Sequence, residues 1–422
     1  MTTSAGPAAP GLAGPARSAD SAPRVFTAYR VLSRSYFHLT VLFVFLWDRG
    51  FSLPTVEITL AVYGVALALA GVVTRPLAGR LSLTGSVALG EWLKAAGLLL
   101  LAVPGGLPVA VLGQVVAAIG FALASGTDSA LLGEICRRDG ADARLWEARS
   151  GSLTFAAALV AGVLGAILYQ WSTVTPFILS AVMSALAALV VPIAGRGLAK
   201  DAEPGARRPA ARSAAGSDEG AVPGGARSEV LRWSAYYSVV RGFVLALFIG
   251  FLPYLLYTRL HASLPVFGLV LGSYTLAGYF TARHGARLAA RFGAKNAATA
   301  GAALAGLGLL VLLWQPTTIG AAFATLALGA GVGAVRPISV GAISELLADR
   351  PAAEKAAALR SNEARFATLN TVLILAAGLL LDQVELRTLL LGVVLAYLAL
   401  AAIVLIALPA PTREKPAPAP TG

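Results

Sequence analysis

The chain has 422 residues, of which 57% are hydrophobic and only 13% are charged. Soluble domains carry about 25% charged residues, so this composition excludes an ordinary soluble protein. The single cysteine, Cys136, excludes an internal disulfide and a cysteine metal cluster. The formal net charge of +12 would suit nucleic acid or an anionic membrane surface, and the distribution of that charge along the chain distinguishes the two.

Apolar stretches long enough to cross a bilayer recur along the chain. Each holds about 20 residues, the length that crosses a hydrocarbon core about 30 Å thick. A membrane β-barrel would instead show alternating segments of about ten residues, so the predicted fold is an all-α membrane protein. The predicted spans are twelve, at residues 26–47, 55–77, 84–103, 107–131, 150–170, 174–194, 232–257, 264–284, 294–314, 318–342, 360–381 and 386–408.

Three segments outside the spans are rich in Ala, Gly and Pro and show no apolar periodicity. Residues 1–25 and 409–422 are predicted to be disordered cytoplasmic tails, and the first of them has no apolar core of a cleavable signal peptide. Residues 196–231 are predicted to be a flexible cytoplasmic linker. This linker separates an N-terminal six-helix bundle at 26–195 from a C-terminal six-helix bundle at 232–408.

Basic residues concentrate in every second loop between the predicted spans. The opposite set of loops contains only Arg49, Arg259 and Arg387. Loops rich in Lys and Arg remain in the cytoplasm, so both termini are predicted to be cytoplasmic and the protein to be multi-pass in the inner (cytoplasmic) membrane of the cell. The positive charge then faces membrane lipids, and no nucleic-acid partner is predicted.

The two halves of the chain repeat at a constant shift of 211 residues. Ser52-Leu53-Pro54 recurs as Ser263-Leu264-Pro265, and Tyr63 recurs as Tyr274. Further matches join Glu134 to Glu345 and Arg149-Ser150 to Arg360-Ser361. The repeat predicts two parallel six-helix units related by a pseudo-two-fold axis along the membrane normal, with a binding site near the midplane between them.

Two basic loops carry a resemblance to a known family. Gly285–Lys295 (GARLAARFGAK) and Arg75–Gly85 (RPLAGRLSLTG) are similar to the loop signature G-x-x-x-D-R-x-G-R-K of the major facilitator superfamily. Gly79 and Ala290 stand where the signature has its acidic residue. Gating in this chain is therefore expected to depend on other contacts as well.

Two further segments resemble exporters of that superfamily. Leu112–Glu134 is similar to the Gly-rich fourth helix of bacterial drug and metabolite exporters, and Gly162 and Gly165 partly match the fifth-helix signature of antiporters. The resemblance implies secondary active transport by alternating access, with proton-coupled efflux of a drug-like or secondary metabolite. It implies no enzyme chemistry and no cofactor, and its partners are a small-molecule substrate, protons and membrane lipids, with no obligate protein partner.

Alternative functions follow from the same features. Uptake or exchange of an organic anion or a phosphorylated metabolite is one alternative, and a lipid-handling or sensory membrane protein on the same fold is another. The chain contains no G-x-x-x-x-G-K-[ST] loop, so ATP-driven transport by this chain alone is not predicted. Its three histidines are scattered and form no metal motif.

The first span carries three polar residues that a straight helix would place on one face. Arg30, Arg34 and His38 are spaced at i, i+4 and i+8. Because a buried charge is far less costly when paired, Arg34 is predicted to pair with Asp128 of span 4. The pair has either a structural role or a role in coupling or substrate binding. His38 is either a neutral hydrogen-bond partner or a proton relay, since imidazole titrates near physiological pH.

Buried arginines suggest how an anionic substrate would be held. Arg241 lies 211 residues after Arg30, and Arg336 precedes Pro337 in span 10. Guanidinium groups suit carboxylate or phosphate, although Arg30 could instead reach the lipid headgroups. In the family, spans 1, 4, 7 and 10 line the central cavity. The candidates for substrate binding or coupling are Arg34, His38, Asp128, Arg241 and Arg336.

The cytoplasmic loops after spans 2, 4, 8 and 10 are predicted to close the inner side of the transporter. Asp48 and Glu57 are assigned to the outer mouth, and Glu91 and Lys94 are predicted to pair at i, i+3. The gate candidates are Arg80, Glu134, Arg149, Arg291, Glu345, Arg360 and Glu363.

Overall fold

A computed structural model of the chain describes residues 21–73, 80–196, 198, 224–348, 350–381 and 383–409. Within these ranges all regular secondary structure is helical, which confirms the all-α prediction. The predicted tails and linker lie largely outside the described residues, and so do residues 74–79 of the first basic loop.

Eight helices make up the described part of the first half of the chain. Most of them are long, apolar segments, and their order follows the predicted spans. They are α1 (Ser21–Ser33), α2 (Leu42–Asp48), α3 (Leu53–Val73), α4 (Leu83–Ala102), α5 (Gly106–Ala124), α6 (Thr127–Asp139), α7 (Ala143–Trp171) and α8 (Thr175–Ala194).

The second half begins with α9 (Gly224–Ala246). This helix continues through a π-helical segment, Leu247–Phe251, one α-helical turn, Leu252–Tyr254, and a second π-helical segment, Leu255–Arg259. The remaining helices are α10 (Leu264–Phe292), α11 (Ala294–Trp314), α12 (Thr318–Leu346), α13 (Ala352–Leu380) and α14 (Leu386–Ala407). Following the predicted orientation, the end at which α1 begins and α14 ends is called the inner end, and the opposite end is called the outer end.

Eleven helices of the described chain are long and apolar enough to cross a membrane, with α5 and α6 counted together. The prediction of one straight first helix is wrong. Helix α1 ends at Ser33 and α2 begins at Leu42, so Arg34 and His38 lie on the irregular segment between them. The expected stack of Arg30, Arg34 and His38 along one helical face therefore does not form.

Buried polar groups from α4 explain why the first span can break inside a membrane protein. Lys94 Nζ donates to the carbonyl of Ser33 at 3.2 Å and to its hydroxyl at 3.1 Å. Glu91 pairs with Lys94 at 2.7 Å, as predicted, and accepts a hydrogen bond of 2.7 Å from the Ser33 hydroxyl. A cation at the end of a helix satisfies its free carbonyl groups and complements its dipole. Glu91 and Lys94 thus cap the end of α1.

A close approach of two backbones holds the segment that follows. The carbonyl oxygen of Phe37 lies so near Gly165 of α7 that a Cβ on Gly165 would overlap it. One turn earlier, a Cβ on Gly162 would lie 2.8 Å from the Thr40 hydroxyl. The irregular backbone is therefore packed against protein, the condition under which such segments occur at membrane depth. These contacts give Gly162 and Gly165 a packing role.

Two other spans are also irregular near the middle of the molecule. Span 4 is interrupted between α5 and α6 at Gly126, which has a φ of 78°. A Cβ there would lie 2.9 Å from the backbone nitrogen of Arg360 in α13. Glycine therefore allows both the positive φ and the close approach of α13. The continuation of α9 is the second case, since it contains the two π-helical segments. π-Helical segments frequently accompany functional sites.

The two halves meet along two long helix pairs. Helix α7 packs against α10, and α3 packs against α13. Within the first half α4 packs against α5 and α8, and within the second half α12 packs against α10 and α11. The two cross-half pairs leave room between them for a cavity.

Candidate functional site: a charged cavity between the halves

A cavity of about 330 Å³ lies between the two halves. Aromatic side chains from both halves form much of its wall. They are Tyr36, Tyr63, Phe121 and Phe155 from the first half and Phe248, Tyr274 and Phe366 from the second. All five residues predicted to bind substrate or couple transport also line it: Arg34, His38, Asp128, Arg241 and Arg336.

Asp128 is the carboxylate at which arginines of both halves converge. Its Oδ2 lies 3.3 Å from Arg30 Nε and 3.8 Å from Arg34 Nη2, and its Oδ1 lies 3.8 Å from Arg336 Nη2. The backbone N–H groups of Gly126 and Ser129 donate to Oδ1 at 3.1 and 2.8 Å. The predicted pair of Arg34 and Asp128 is present, but the shortest of these three arginine contacts is made by Arg30.

Glu147 of α7 is a second carboxylate of the cavity wall. Its Oε2 lies 2.9 Å from Arg30 Nη1, and its Oε1 lies 3.6 Å from Arg336 Nε. The hydroxyl of Ser129 donates to Oε1 at 3.2 Å. Arg30 also donates to the hydroxyls of Ser129 and Ser150 at 2.8 and 2.9 Å. Arg30 is therefore held inside the protein, and the alternative in which it reaches lipid headgroups is wrong.

Glu363 of α13 is the carboxylate contributed by the second half. It lies 3.0 Å from Arg241 Nη1 and 3.4 Å from Arg336 Nη1, and it accepts a hydrogen bond of 2.6 Å from the Tyr237 hydroxyl. Arg241 also contacts that hydroxyl and stacks over the ring of Phe366 at 4.4 Å. Glu363, one of the predicted gate residues, is 6% exposed and contacts two arginines of the cavity wall.

Arg336 joins the carboxylates of the two halves. It reaches Asp128 and Glu147 in the first half and Glu363 in the second, and its side chain is 24% exposed. The network of the described residues thus contains four arginines and three carboxylates, which leaves an excess of one positive charge. We name this set the arginine network; it consists of Arg30, Arg34, Arg241, Arg336, Asp128, Glu147 and Glu363.

Of the two first-half arginines in the arginine network, Arg34 lies farther from a carboxylate, at 3.8 Å from Asp128. Its guanidinium lies 4.8 Å from the centre of the Phe121 ring and donates to the Tyr36 hydroxyl at 3.1 Å. Its position just after the end of α1 places it on the cavity wall. A guanidinium held by an aromatic face and a hydroxyl keeps donors for an anionic ligand.

His38 lies on the same irregular segment. Its backbone N–H donates to the Ser180 hydroxyl at 3.2 Å, and its ring lies against those of Tyr36 and Phe177. In the described structure the ring nitrogen Nδ1 has no hydrogen-bond partner although the residue is only 9% exposed. The proton-relay role stays a prediction.

The gate candidates fall into three groups. Arg360 lies between the halves, since it donates to the Thr127 hydroxyl at 3.2 Å. Glu134 pairs with Arg137 at 2.7 Å on its own helix, and the guanidinium of Arg149 lies over Trp146. The remaining loop candidates are exposed, namely Arg80, Arg291 and Glu345. Arg360 therefore joins the two halves directly, and Glu363 contacts Arg336, which reaches into the first half.

A second set of contacts joins the halves at the outer end, and it contains few charges. The hydroxyl of Tyr257 donates to Asp48 at 3.0 Å, and Tyr169 donates to the same carboxylate at 2.9 Å. The rings of Phe43 and Tyr254 meet edge to face, with centroids 6.4 Å apart. Contacts between the halves thus lie on both sides of the cavity.

The sequence analysis overlooked Glu147 because it began span 5 too late, and it began span 11 too late as well. It started spans 5 and 11 at residues 150 and 360, where the apolar stretches begin, whereas the helices begin at Ala143 and Ala352. Asp142 marked the earlier start, because its carboxylate accepts the backbone N–H of Leu145 as an N-cap does. Pro351 marked the other start, at the N-cap of α13.

Comparisons with known proteins agree with this architecture. The family model described as Major Facilitator Superfamily matches residues 235–422. Solved structures with the same fold include a POT family transporter in complex with a thioalcohol conjugated peptide, at 14% identity and a TM-score of 0.68 over 91% of this chain and 95% of that one. The transporter FucP of the superfamily, in its outward conformation, is 15% identical with a TM-score of 0.63 over 93% and 100%.

The nucleoside transporter NupG is 12% identical with a TM-score of 0.62 over 92% of this chain and 99% of that one. No curated protein matches the chain. At these identities the structures show the fold, and the family match over residues 235–422 agrees with the resemblance seen in the second half of the sequence.

Proposed function

We propose that this chain, a major facilitator superfamily protein, is a secondary active transporter that moves a small organic molecule carrying an anionic group by alternating access. The observation that carries the proposal is the arginine network, a largely buried set of charges with one positive charge in excess. All its members except Glu363 line the cavity between the halves. Such a set binds a carboxylate or phosphate by replacing one of its internal partners.

The cavity also supports an apolar part of the substrate. Aromatic and aliphatic side chains form most of its wall, including Phe121, Phe155, Phe248 and Phe366. A cavity of about 330 Å³ is at the lower end of the range for small-molecule sites, about 300–1,000 Å³. The proposed substrate is therefore a compact amphipathic anion or zwitterion.

The arginine network gives binding a way to affect conformation. Arg336 of the second half holds the inner parts of the two halves together through Asp128 and Glu147 of the first half. An anion that takes over part of Arg336 weakens that bridge, because a guanidinium offers a limited number of donors. Substrate binding and inner opening then become linked events, as alternating access requires.

The direction of transport belongs to the same proposal. The similarity of Leu112–Glu134 to exporter helices favours proton-coupled efflux across the inner membrane, with both termini in the cytoplasm. The excess of positive charge in the cavity favours an organic anion, for which uptake or exchange is the second candidate. The two differ in the sign of the flux under one imposed gradient.

A flux assay tests the function. Purified protein in proteoliposomes with an imposed pH gradient is given radiolabelled small carboxylates and phosphate monoesters, with primary amines of similar size as controls. We expect gradient-dependent flux of at least one anion and none of the amines, and the sign of that flux separates efflux from uptake. If no member of the panel shows gradient-dependent flux but the purified protein binds anionic lipid headgroups, the lipid-handling or sensory alternative is favoured.

A matched pair of variants connects the flux to the arginine network. Arg241→Ala removes a cavity arginine that pairs with Glu363, whereas Arg232→Ala removes an exposed arginine from the same helix. We expect Arg241→Ala to lower anion flux by a factor of ten or more, about 1.4 kcal/mol at 25 °C, and Arg232→Ala to leave it unchanged. Equal flux in the two variants would show that the cavity arginines do not bind the substrate.

A further inference from the structure

Glu57 is a buried carboxyl group with no role in the cavity described above. It lies in the first turns of α3, near the outer end, and is 2% exposed. Neither of its carboxylate oxygens has a hydrogen-bond partner in the described structure. An ionised carboxylate in such a place is strongly unfavourable, and a group of this kind is expected to be neutral instead.

The side chain is enclosed by backbone of the other half. A Cβ on Gly250, in the first π-helical segment after α9, would lie 2.9 Å from Glu57 Oε2. A Cβ on Gly378 of α13 would overlap the Glu57 Cβ. Two glycines of the second half thus make the space in which this first-half carboxyl group is enclosed, so its burial depends on the halves being together.

Among the described residues, the charged and titratable groups on the helices around Glu57 have other partners or are remote. Asp48, at the end of α2, accepts hydrogen bonds from Tyr169 and Tyr257. Helix α5 and the π-helical segment Leu247–Phe251 contain none.

The charged residues of α13 are also distant. Arg365 is the last of them before Gly378, and this separation of thirteen residues corresponds to about 20 Å along the helix axis. The others lie still nearer the inner end, and they are Glu354, Lys355, Arg360 and Glu363. Tyr254 and Arg259, on the continuation of α9, contact each other.

The internal repeat shows that the fold does not need a carboxyl group at this position. The residue 211 positions after Glu57 is Gly268, in α10. A Cβ on Gly268 would meet the Ala166 Cβ of α7 at 3.0 Å, so the equivalent contact between the halves uses a small residue. Glu57 is therefore a departure from the repeat that introduces a titratable group into a tight contact.

We propose that Glu57 is a proton-binding site that links closure of the outer end to the proton concentration on that side. When the halves separate there, water reaches the carboxylate and the group ionises. When they close, a proton from that water forms an O–H bond with one carboxylate oxygen, and the neutral acid is buried between Gly250 and Gly378. No electron transfer is involved, and the proton returns to the same side on opening. The proposal rests on the alternating access of the proposed function.

The sign of the linkage follows from the burial. The closed outer end binds one proton more than the open one, so acid favours closure and alkali favours opening. For one linked proton, the ratio of open to closed molecules rises about tenfold per pH unit while the group is ionised when open and protonated when closed.

Distances between spin labels at the outer end measure that ratio. Ser52 and Ser263 are exposed repeat mates that precede α3 and α10, so Ser52→Cys and Ser263→Cys place one label on each half. The buried Cys136 is replaced by Ala in this background. The distance distribution is recorded by pulsed electron resonance in lipid nanodiscs from pH 5 to pH 9, without any added substrate.

We expect a long-distance population in the background protein that grows with pH at a slope approaching tenfold per unit. In Glu57→Gln the side chain cannot ionise, so the population is expected to be constant over the same range. Glu57→Met is a second variant with the same expectation, in case the amide is poorly accommodated. A pH-dependent ratio that persists in these variants would refute the proposal.

The remaining outcomes separate this proposal from the proposed function. Two distance populations whose ratio does not change with pH would refute the role of Glu57 and leave alternating access intact. A single unchanging distance under all conditions would refute both. A pH-dependent ratio that disappears in Glu57→Gln would support the proton site even if no transported substrate were found.

Discussion

The inner and outer contacts between the two halves are built from different chemistry. On the inner side of the cavity, Arg336 connects carboxylates of both halves, and Arg360 bonds to Thr127. On the outer side the contacts are made by tyrosines, aromatic rings and glycines, with Glu57 enclosed among them. An ionic contact can be exchanged for a charged substrate, whereas a close contact of small residues responds to volume and to protonation. The inner end is therefore expected to open in response to a charged substrate, and the outer end in response to pH.

The largest effect is expected from removing the carboxylate at the centre of the inner contact. Asp128→Ala leaves Arg30, Arg34 and Arg336 without their shared partner in a buried site. Removing one member of a buried ion pair costs about 3–5 kcal/mol, so we expect a marked fall in the unfolding temperature of the purified protein.

The control is Glu134→Ala, which removes the carboxylate of a surface pair with Arg137. Surface pairs contribute about 0–1 kcal/mol, so the unfolding temperature of this variant is expected to stay close to that of the wild type. Similar losses in the two variants would contradict the central place of Asp128 in the arginine network.

A smaller effect is expected from filling the space beside Glu57. Gly378→Ala adds a methyl group that overlaps the Glu57 side chain when the outer end is closed. Overpacking costs about 1–3 kcal/mol, and opening the outer end relieves it, so the long-distance population of the outer labels should increase at every pH.

Gly392→Ala is the matched control in α14, because a Cβ there meets nothing within 4 Å. Its distance distribution is expected to equal that of the background protein. A Gly378→Ala distribution without any shift would mean that the outer contact does not restrict closure.

The break in the first span gives a comparable test within one half. Gly165→Ala places a methyl group against the carbonyl of Phe37. Gly151→Ala, on the same helix, adds a methyl group that has no neighbouring atom within 4 Å. We expect Gly165→Ala to destabilise the protein by about 1–3 kcal/mol and Gly151→Ala to stabilise it slightly or leave it unchanged, as measured by thermal unfolding. Equal unfolding temperatures would contradict the packing of the irregular segment against α7.

The smallest effect is expected from one hydrogen bond at the outer end. Tyr257→Phe removes a bond to Asp48 that crosses between the halves, and Tyr169→Phe removes a bond to the same carboxylate within the first half. Each loss is worth about 0.5–1.5 kcal/mol. Only Tyr257→Phe should shift the outer distance distribution towards opening, and a shift of equal size in Tyr169→Phe would contradict the assignment.

The helix bounds were predicted well where the helix and its apolar stretch begin and end at the same residues. Residues 174–194 and 294–314 were predicted as spans, and α8 and α11 occupy almost the same residues. Prediction failed where a helix continues through charged residues, as α7 and α13 do at their inner ends, because hydropathy declines there while helical hydrogen bonding does not. The extension of α7 carries Glu147.

Two features of the site depended on tertiary contacts that no local pattern contains. The break after Ser33 is stabilised by Lys94 and Glu91 from another helix, and it moves Arg34 onto the cavity wall. The pairing of Arg34 with Asp128 was predictable, since buried charges require partners. Its extension through Arg336 to Glu363 was not, because it depends on how the two halves approach each other.

Reciprocal movement of the two ends is the most direct test of the account. A second pair of labels, Ala143→Cys and Glu354→Cys, marks the inner ends of α7 and α13 at exposed repeat mates. Distances at both ends are measured in lipid nanodiscs with and without the anion that is transported in the flux assay. The account predicts that conditions that lengthen one distance shorten the other. Distances that lengthen together, or an inner distance that does not change, would contradict alternating access about the charged cavity.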